Sequence, residues 1–195
     1  MTDALAFTLA AVALLGSPGP AIAALLAIGR AQGFRASLPF FLALQLGLAI
    51  AAGLSAAGLV SLLTAAPAVQ QALMLVALAY LVWLAWKIGA APVGEPQAAS
   101  TASSLGQGFL LGIANPKAYL AFASLIASFV LIPRSGLGDG VAKWSILVVV
   151  MITVDVAWLA VGAALGGLKL SPGAERAMNL VMAATILAAA ALAFL

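Results

Sequence analysis

The chain has 195 residues, of which 66% are hydrophobic and 7% charged, and its mean hydropathy is +1.24. A soluble domain carries about 25% charged residues, so this composition predicts an integral membrane protein embedded in a lipid bilayer. Cys and His are both absent, which excludes disulfides, thiol redox chemistry and the usual zinc sites, and we expect no metal and no cofactor. The net charge of +3 is too small and scattered for a nucleic-acid partner.

Six apolar stretches are long enough to cross a membrane, because about 20 helical residues span the hydrocarbon core. They are Leu5 to Ile28, Leu38 to Leu63, Val69 to Ile88, Leu105 to Ile132, Trp144 to Leu168 and Ala177 to Leu195. The first is interpreted as an uncleaved span, since Asp3 stands where a signal peptide has a basic region. A segment rich in Pro, Ala and Ser predicts a cytoplasmic linker at residues 91–104, between a first three-helix repeat (1–90) and a second (105–195).

Basic residues of the loops predict the orientation, because cytoplasmic loops carry an excess of Lys and Arg. The loops after spans one, three and five hold five of them, and the loops on the other side hold two. The five are Arg30, Arg35, Lys87, Lys169 and Arg176, and the two are Arg134 and Lys143. This bias predicts that both termini face outward.

Two short segments echo each other in the first span of each half. "LLGSPGP" at residues 14–20 aligns with "LLGIANP" at residues 110–116, so that Pro20 falls on Pro116. Two halves of three spans have opposite orientations in the membrane, and broken helices at matching positions indicate a transporter's binding site. The predicted fold is therefore an all-α integral membrane protein of six transmembrane helices, built as two inverted three-helix repeats with helices 1 and 4 broken.

The prolines in these segments predict breaks that face the protein interior. Proline removes a backbone donor and clashes with the preceding turn, and the freed groups need partners away from lipid. The break at Pro18, Gly19 and Pro20 exposes a half-helix N-terminus that attracts a carboxylate, and Asn115 with Pro116 does the same in the fourth span. The alternative is a plain proline kink, with Asn115 capping the helix that follows.

Two charged residues lie deep in predicted spans, where an isolated charge is unfavourable by about 2.5–3.5 kcal/mol. At 1.5 Å per residue, Lys117 is roughly 18 Å into span four and Asp155 roughly 16 Å into span five from the other side. Ser17 reaches a similar depth in span one, at roughly 20 Å. We predict a midplane cluster that binds substrate or coupling ion. The alternative is that Lys117 and Asp155 form a static buried ion pair.

Two further polar residues are secondary candidates for this site. Gln45 lies in predicted span two and Asn179 in predicted span six. Both residues also suit interhelical hydrogen bonds, and this packing role is the alternative to substrate contact.

Several motifs together resemble the LysE/RhtB family of amino-acid exporters over nearly the whole chain. They are the Pro-Gly-Pro of span one, "GRAQGFRAS" (29–37), "AYLVWLAWK" (79–87), "GFLLGIANPKAYLAF" (108–122) and "VDVAW" (154–158). The resemblance implies six spans in the plasma (bacterial inner) membrane and proton-driven export of an amino-acid-like small molecule by alternating access. A homodimer is compatible with a chain of this size. The family's embedded motif residues map onto Pro18, Gly19, Pro20, Asn115, Pro116, Lys117 and Asp155.

The chain departs from the family pattern at two places. Many members have a polar residue after Pro-Gly-Pro, where this chain has Ala21, and many carry an acidic residue in span two, where this chain reads "ALQLGLAI" (43–50). A single buried carboxylate makes a dibasic substrate less suitable and favours a small neutral or apolar amino acid. The alternatives are a non-transporting subunit that packs against a partner protein, and, ranked last, an intramembrane enzyme, for which a recognisable set of catalytic groups is lacking.

Overall fold

The computed structural model describes residues 2–58, 67–92, 105–168 and 170–192, and within these ranges the chain is all-helical. The described part contains seven helices. They are α1 (Thr2–Gly16), α2 (Pro20–Ala56), α3 (Pro67–Gly89), α4 (Leu105–Ile113), α5 (Pro116–Ser128), α6 (Gly136–Gly166) and α7 (Pro172–Leu192). Of these, α2 and α6 are long and apolar enough to cross a membrane, and α4 with α5 forms a third span if the bent pair is counted as one.

Both predicted helix breaks are present in the structure. The first break comprises residues 17–19, between the end of α1 and the start of α2, and the second comprises residues 114 and 115, between α4 and α5. Each following helix has proline at its first position, where the missing N–H is harmless because it has no helical partner. The axes of α4 and α5 differ by 44° across the second break.

The predicted loop between spans one and two is instead helical, apart from a kink at one residue. Gly33 has φ 76° and ψ 170°, a positive φ that glycine adopts without strain. The hydroxyl of Ser37 bridges the kink by donating to the carbonyls of Gly33 at 2.7 Å and Ile28 at 3.3 Å. Because a single glycine makes the change of direction, the helix continues on either side, as α2a (residues 20–32) and α2b (residues 34–56).

Two helices begin earlier than the apolar runs predicted. In α6, Ser135 caps the first turn by accepting a hydrogen bond from the N–H of Gly138, and Asp139 pairs with Lys143 at 2.6 Å. In α7, the Ser171 hydroxyl accepts from the N–H of the third helical residue. These turns carry polar groups, so a search for lipid-length apolar runs omits them.

Lys169 and the predicted linker from residue 93 onward lie outside the described residues.

Glycines let α4 pack directly on the backbone of α2b. A Cβ at Gly108 would lie 2.4 Å from the carbonyl oxygen of Phe40, and one at Gly112 would lie 2.4 Å from that of Leu44. Small residues four apart in this way allow close approach of membrane helices. The contact joins the second half of the chain to the first.

A matching glycine contact joins α6 to α2a. A Cβ at Gly162 would lie 2.5 Å from the carbonyl oxygen of Leu26, and one at Gly166 would lie 2.4 Å from that of Arg30. Both close contacts therefore cross from one half of the sequence to the other. The halves interlock and do not stand as two separate blocks.

Side-chain contacts assign the loops to two ends of the molecule. Arg30 pairs with Glu175 at 3.0 Å, and Arg176 donates to the carbonyl of Gly89 at 2.7 Å, which brings the ends of α2a and α3 to the start of α7. At the other end, the rings of Phe7 and Phe129 pack edge to face, with 5.6 Å between their centroids. The segments that follow the first, third and fifth predicted spans thus share one end.

Candidate functional site

Lys117 connects the second helix break to the first. It lies in the first turn of α5, and its Nζ donates hydrogen bonds to the carbonyl oxygens of Ser17 and, at 3.1 Å, of Pro18. These carbonyls belong to the break that follows α1, where the helix has no further N–H groups to offer. A positive charge at a helix C-terminus is also favoured by the helix dipole. The lysine therefore satisfies backbone acceptors that lipid could not.

Gly19 provides the space that Lys117 occupies. A Cβ at this position would lie 2.7 Å from Cδ and 3.0 Å from Nζ of Lys117. The φ and ψ of Gly19 are −169° and −178°, an extended conformation open to any residue. The requirement for glycine here is therefore the close approach of the lysine.

Asp155 lies in the middle of α6 and is 5% exposed. Its Oδ2 accepts a hydrogen bond of 2.6 Å from Nε2 of Gln45, which is 8% exposed and lies in α2b. Asp155 and Lys117 are not joined by a salt bridge in the structure, so the alternative of a static ion pair between them gains no support from the geometry. Lys117 instead donates its hydrogen bonds to the carbonyls of the first break.

A cavity of about 30 Å³ lies between these groups and has room for water. The N-terminal turns of α2 and α5 both line it, and each presents N–H groups without helical partners together with the positive end of the helix dipole. Lys117 and Asp155 are its charged members. The remaining lining is mostly apolar, and the whole set is Leu15, Gly19, Pro20, Ala21, Ile22, Leu48, Asn115, Lys117, Ala118, Met151 and Asp155.

Asn115 occupies the N-cap position of α5 but does not cap it with its side chain. The residue is 5% exposed, and its Oδ1 is buried without a hydrogen-bond partner. Its backbone carbonyl accepts from the N–H groups of Ala118 and Tyr119, which begins the helix. The interpretation of the Asn115 side chain as a helix cap is therefore wrong.

Comparison with known proteins gives the family of the chain. Residues 12–195 match the family described as LysE type translocator. The chain belongs to this family. It is 31% identical, over 147 residues that make up 75% of each chain, to the cysteine/O-acetylserine efflux protein of Salmonella choleraesuis (strain SC-B67) and to that of Escherichia coli (strain K12). No solved structure matches it significantly. This LysE type translocator is a multi-pass membrane transporter and not an enzyme.

The other predicted site residues of the translocator lie at different distances from the cavity. The hydroxyl of Ser17 donates to the carbonyl of Leu14 at 2.8 Å, so Ser17 offers its own carbonyl to the site and not its side chain. Pro18 and Pro116 shape the two breaks without lining the cavity. Gln45 is connected to the site through its hydrogen bond to Asp155.

Asn179 does not reach the cavity. It is fully buried in α7, where its Oδ1 accepts from Nη1 of Arg30 at 2.5 Å, while Nη2 of Arg30 donates to Glu175 at 3.0 Å. The sequence reasoning used Arg30 as a loop charge only and missed this cluster. The sequence contains no local signal for it, since the partners are 145 and 149 positions apart.

Trp158 is a residue of the site that sequence reasoning left out. Its Nε1 donates to the carbonyl of Gly16 at 3.3 Å, at the end of α1. Residues three apart share a helix face, so the spacing from Asp155 could have indicated that both point toward the first break. Within the described residues, no cluster of three or more acidic, Cys or His side chains could hold a metal ion.

Proposed function

We propose that this translocator exports a small neutral amino acid, or a close derivative, from the cytoplasm, and that the substrate binds in the cavity between the two helix breaks. The observation that supports this most directly is that Lys117 and Asp155 line one cavity that two helix N-termini also line. An amino acid is a zwitterion, and this site offers a positive and a negative group to it. The relatives named as cysteine/O-acetylserine efflux proteins make these two compounds the first candidate substrates.

The substrate carboxylate would bind at Lys117 and the N–H groups that begin α2 and α5. Its ammonium would bind the carboxylate of Asp155. The side chain would meet Leu15, Ile22, Leu48 and Met151, an apolar wall without a second carboxylate for a dibasic side chain. Small neutral substrates therefore fit the lining best.

Export coupled to protons would use Asp155, because a buried carboxylate can carry a proton in one state and the substrate ammonium in another. The cavity has a volume of about 30 Å³ and has to widen for an amino acid. Access would alternate between the two membrane faces. The glycine contacts join helices of different halves of the sequence. They therefore favour two moving units, one made of α2b and α4 and the other of α2a and α6, over two rigid three-helix halves.

The topology that accompanies this function is six crossings in two inverted three-helix repeats of the inner membrane. Both termini would face outward. Support comes from the shared end of the molecule at which Arg30, Gly89 and Glu175 meet. The basic residues of these connections favour a cytoplasmic position for that end.

The test is efflux from cells and from proteoliposomes that contain the purified chain. Cells fed dipeptides of several amino acids, with and without the translocator, should lose one small neutral class faster, and a proton uncoupler should abolish the difference. Asp155→Asn should lower this efflux by roughly 10- to 100-fold, since a hydrogen bond to a charged group contributes about 1.5–3 kcal/mol.

The matched control is Asp3→Asn, which neutralises an exposed carboxylate at the start of α1 and should leave efflux unchanged. Normal efflux by a correctly inserted Asp155→Asn protein would exclude this site. Absence of flux in proteoliposomes, together with co-purification of another protein, would replace the exporter with a partner subunit.

A further inference from the structure

We propose that Asn115 recognises the amino group of the substrate, through a hydrogen bond from the substrate ammonium to Oδ1. The translocator would thereby select molecules with a free primary amine on the α-carbon. This inference rests on the proposed function and adds to it the residue that decides which class of compound is carried.

The first observation is that Oδ1 of Asn115 is an acceptor without a donor. Asn115 is only 5% exposed, and it lines the cavity next to Lys117. Buried side-chain oxygens nearly always have a hydrogen-bond partner, so an unpartnered one on a residue that lines a cavity is available to a donor that a ligand brings. The side chain is also not used as a helix cap, which is the usual role of asparagine at this position.

The second observation is the charge arrangement of the cavity. Lys117 and the two helix N-termini are donors, and they suit a carboxylate. Asp155 and Asn115 both line this cavity, and each carries an acceptor oxygen. An ammonium group has three N–H donors, and a single carboxylate does not satisfy all of them.

Gln45 further limits what Asp155 can accept. Its Nε2 already donates to Oδ2 of Asp155 at 2.6 Å. The other oxygen, Oδ1, can take one N–H of the ammonium, and Asn115 can take a second. A compound whose amine is acylated keeps one N–H and loses its positive charge, so it can form only one of these two hydrogen bonds, and that one without a positive charge on the donor.

The experiment compares two isomers in proteoliposomes that contain the purified chain. O-acetylserine and N-acetylserine contain the same atoms, but only the first has a free amine. Initial rates are measured for each at mildly acidic pH, where the acetyl group stays on oxygen. The wild type should carry the O-acetyl isomer and discriminate strongly against the N-acetyl isomer.

Three substitutions test the residue. Asn115→Leu should raise the KM for O-acetylserine and reduce the preference for the free amine by roughly 10-fold, since one hydrogen bond to a charged group is lost. Asn115→Asp keeps two acceptor oxygens and should keep the preference. Asn115→Ser keeps a smaller acceptor and should give an intermediate preference.

The preference is a ratio of two rates in one preparation, so it does not depend on how much of the protein is folded. If Asn115→Leu does not fold, Asn115→Asp and Asn115→Ser still test the inference. Equal loss of both isomers in the substituted proteins would mean a structural role and overturn the inference. Loss of preference in Asn115→Asp would mean that the amide acts as a donor, which also overturns it. If the wild type moves neither isomer nor any other amino acid, the proposed function fails, and this inference fails with it.

Discussion

The two helix breaks of this translocator begin from similar sequences and end with different chemistry. Both follow a Leu-Leu-Gly triplet, both precede a helix that starts with proline, and both bring a helix N-terminus to the same cavity. At the first break, the carbonyls of Ser17 and Pro18 accept from Lys117, which belongs to the second. The position in α2 that aligns with Lys117 is Ala21, so the first break has no lysine that could donate to the second.

This difference indicates that the two breaks share a backbone arrangement and differ in single residues. The breaks and the helix N-termini occur twice. The lysine and the unpartnered Asn115 oxygen occur once, both at the second break, and the carbonyls that hold the lysine belong to the first. A substrate carboxylate would compete with those carbonyls for Lys117. Removal of the lysine therefore affects both breaks at once.

The largest expected effect is that of Lys117→Met, which keeps the length of the side chain and removes its charge. The substrate loses its cationic partner, and the carbonyls at the first break lose their donor. Efflux should fall by about 100-fold, since a charge-assisted hydrogen bond contributes about 1.5–3 kcal/mol. Initial efflux rates, normalised to protein in the membrane, measure this loss.

The control for this substitution is Lys87→Met at the end of α3. Lys87 stacks over the ring of Trp83, with Nζ 4.8 Å from its centroid, and does not line the cavity. It should keep efflux near the wild-type rate. Normal efflux by Lys117→Met would show that the charge at the second break has no part in transport.

A smaller effect is expected from Gly19→Ala, which changes the first break alone. The new Cβ would lie 2.7 Å from Cδ of Lys117, so the flexible lysine has to move away from the carbonyls of Ser17 and Pro18. We expect efflux to fall by roughly 10-fold, equivalent to about 1.4 kcal/mol, with little change in the amount of inserted protein.

Gly173→Ala in the first turn of α7 is the matched control, because no atom lies within 4 Å of the new Cβ. If Gly19→Ala transports as well as this control, the lysine does not need its present position. The close contact between the two breaks would then be a feature of packing only.

The helix breaks could be predicted from the sequence because their cause is local. Proline disfavours a helix interior, although Pro39 lies inside α2b without interrupting it, and a rise of 1.5 Å per residue is enough to place charges at a common depth. The structure brings Lys117 and Asp155 to one cavity in the way that this depth suggests. Their use by substrate or proton remains a prediction.

The partners of these residues could not be predicted, because they depend on how distant segments pack. The alternative of an ion pair between Lys117 and Asp155 did not take into account the backbone carbonyls that a break leaves free. The pairing of Arg30 with Glu175 and the bond from Gln45 to Asp155 likewise join segments that are far apart in sequence. The composition also did not distinguish the kink at Gly33 from an ordinary loop, because the change of direction occurs at a single residue.

The smallest expected effects test the scaffold, where the two halves are alike. Gly112→Ala in α4 and Gly162→Ala in α6 each place a Cβ against a backbone carbonyl, at 2.4 Å and 2.5 Å, with no flexible side chain to yield. Overpacking of this kind destabilises by about 1–3 kcal/mol, and each kcal/mol lowers Tm by about 2–4 °C in a chain of this size. Thermal unfolding of the purified proteins in detergent measures both shifts.

The control is Gly106→Ala, also in α4, which meets no atom within 4 Å and should gain slightly in stability from the higher helix propensity of alanine. Similar losses at Gly112 and Gly162 would mean that the two cross-half contacts are equivalent supports, and that the asymmetry of the molecule is confined to its breaks. A large loss at one glycine and none at the other would extend that asymmetry to the scaffold. The pair of helices with the weaker contact would then be where the chain opens when the cavity widens.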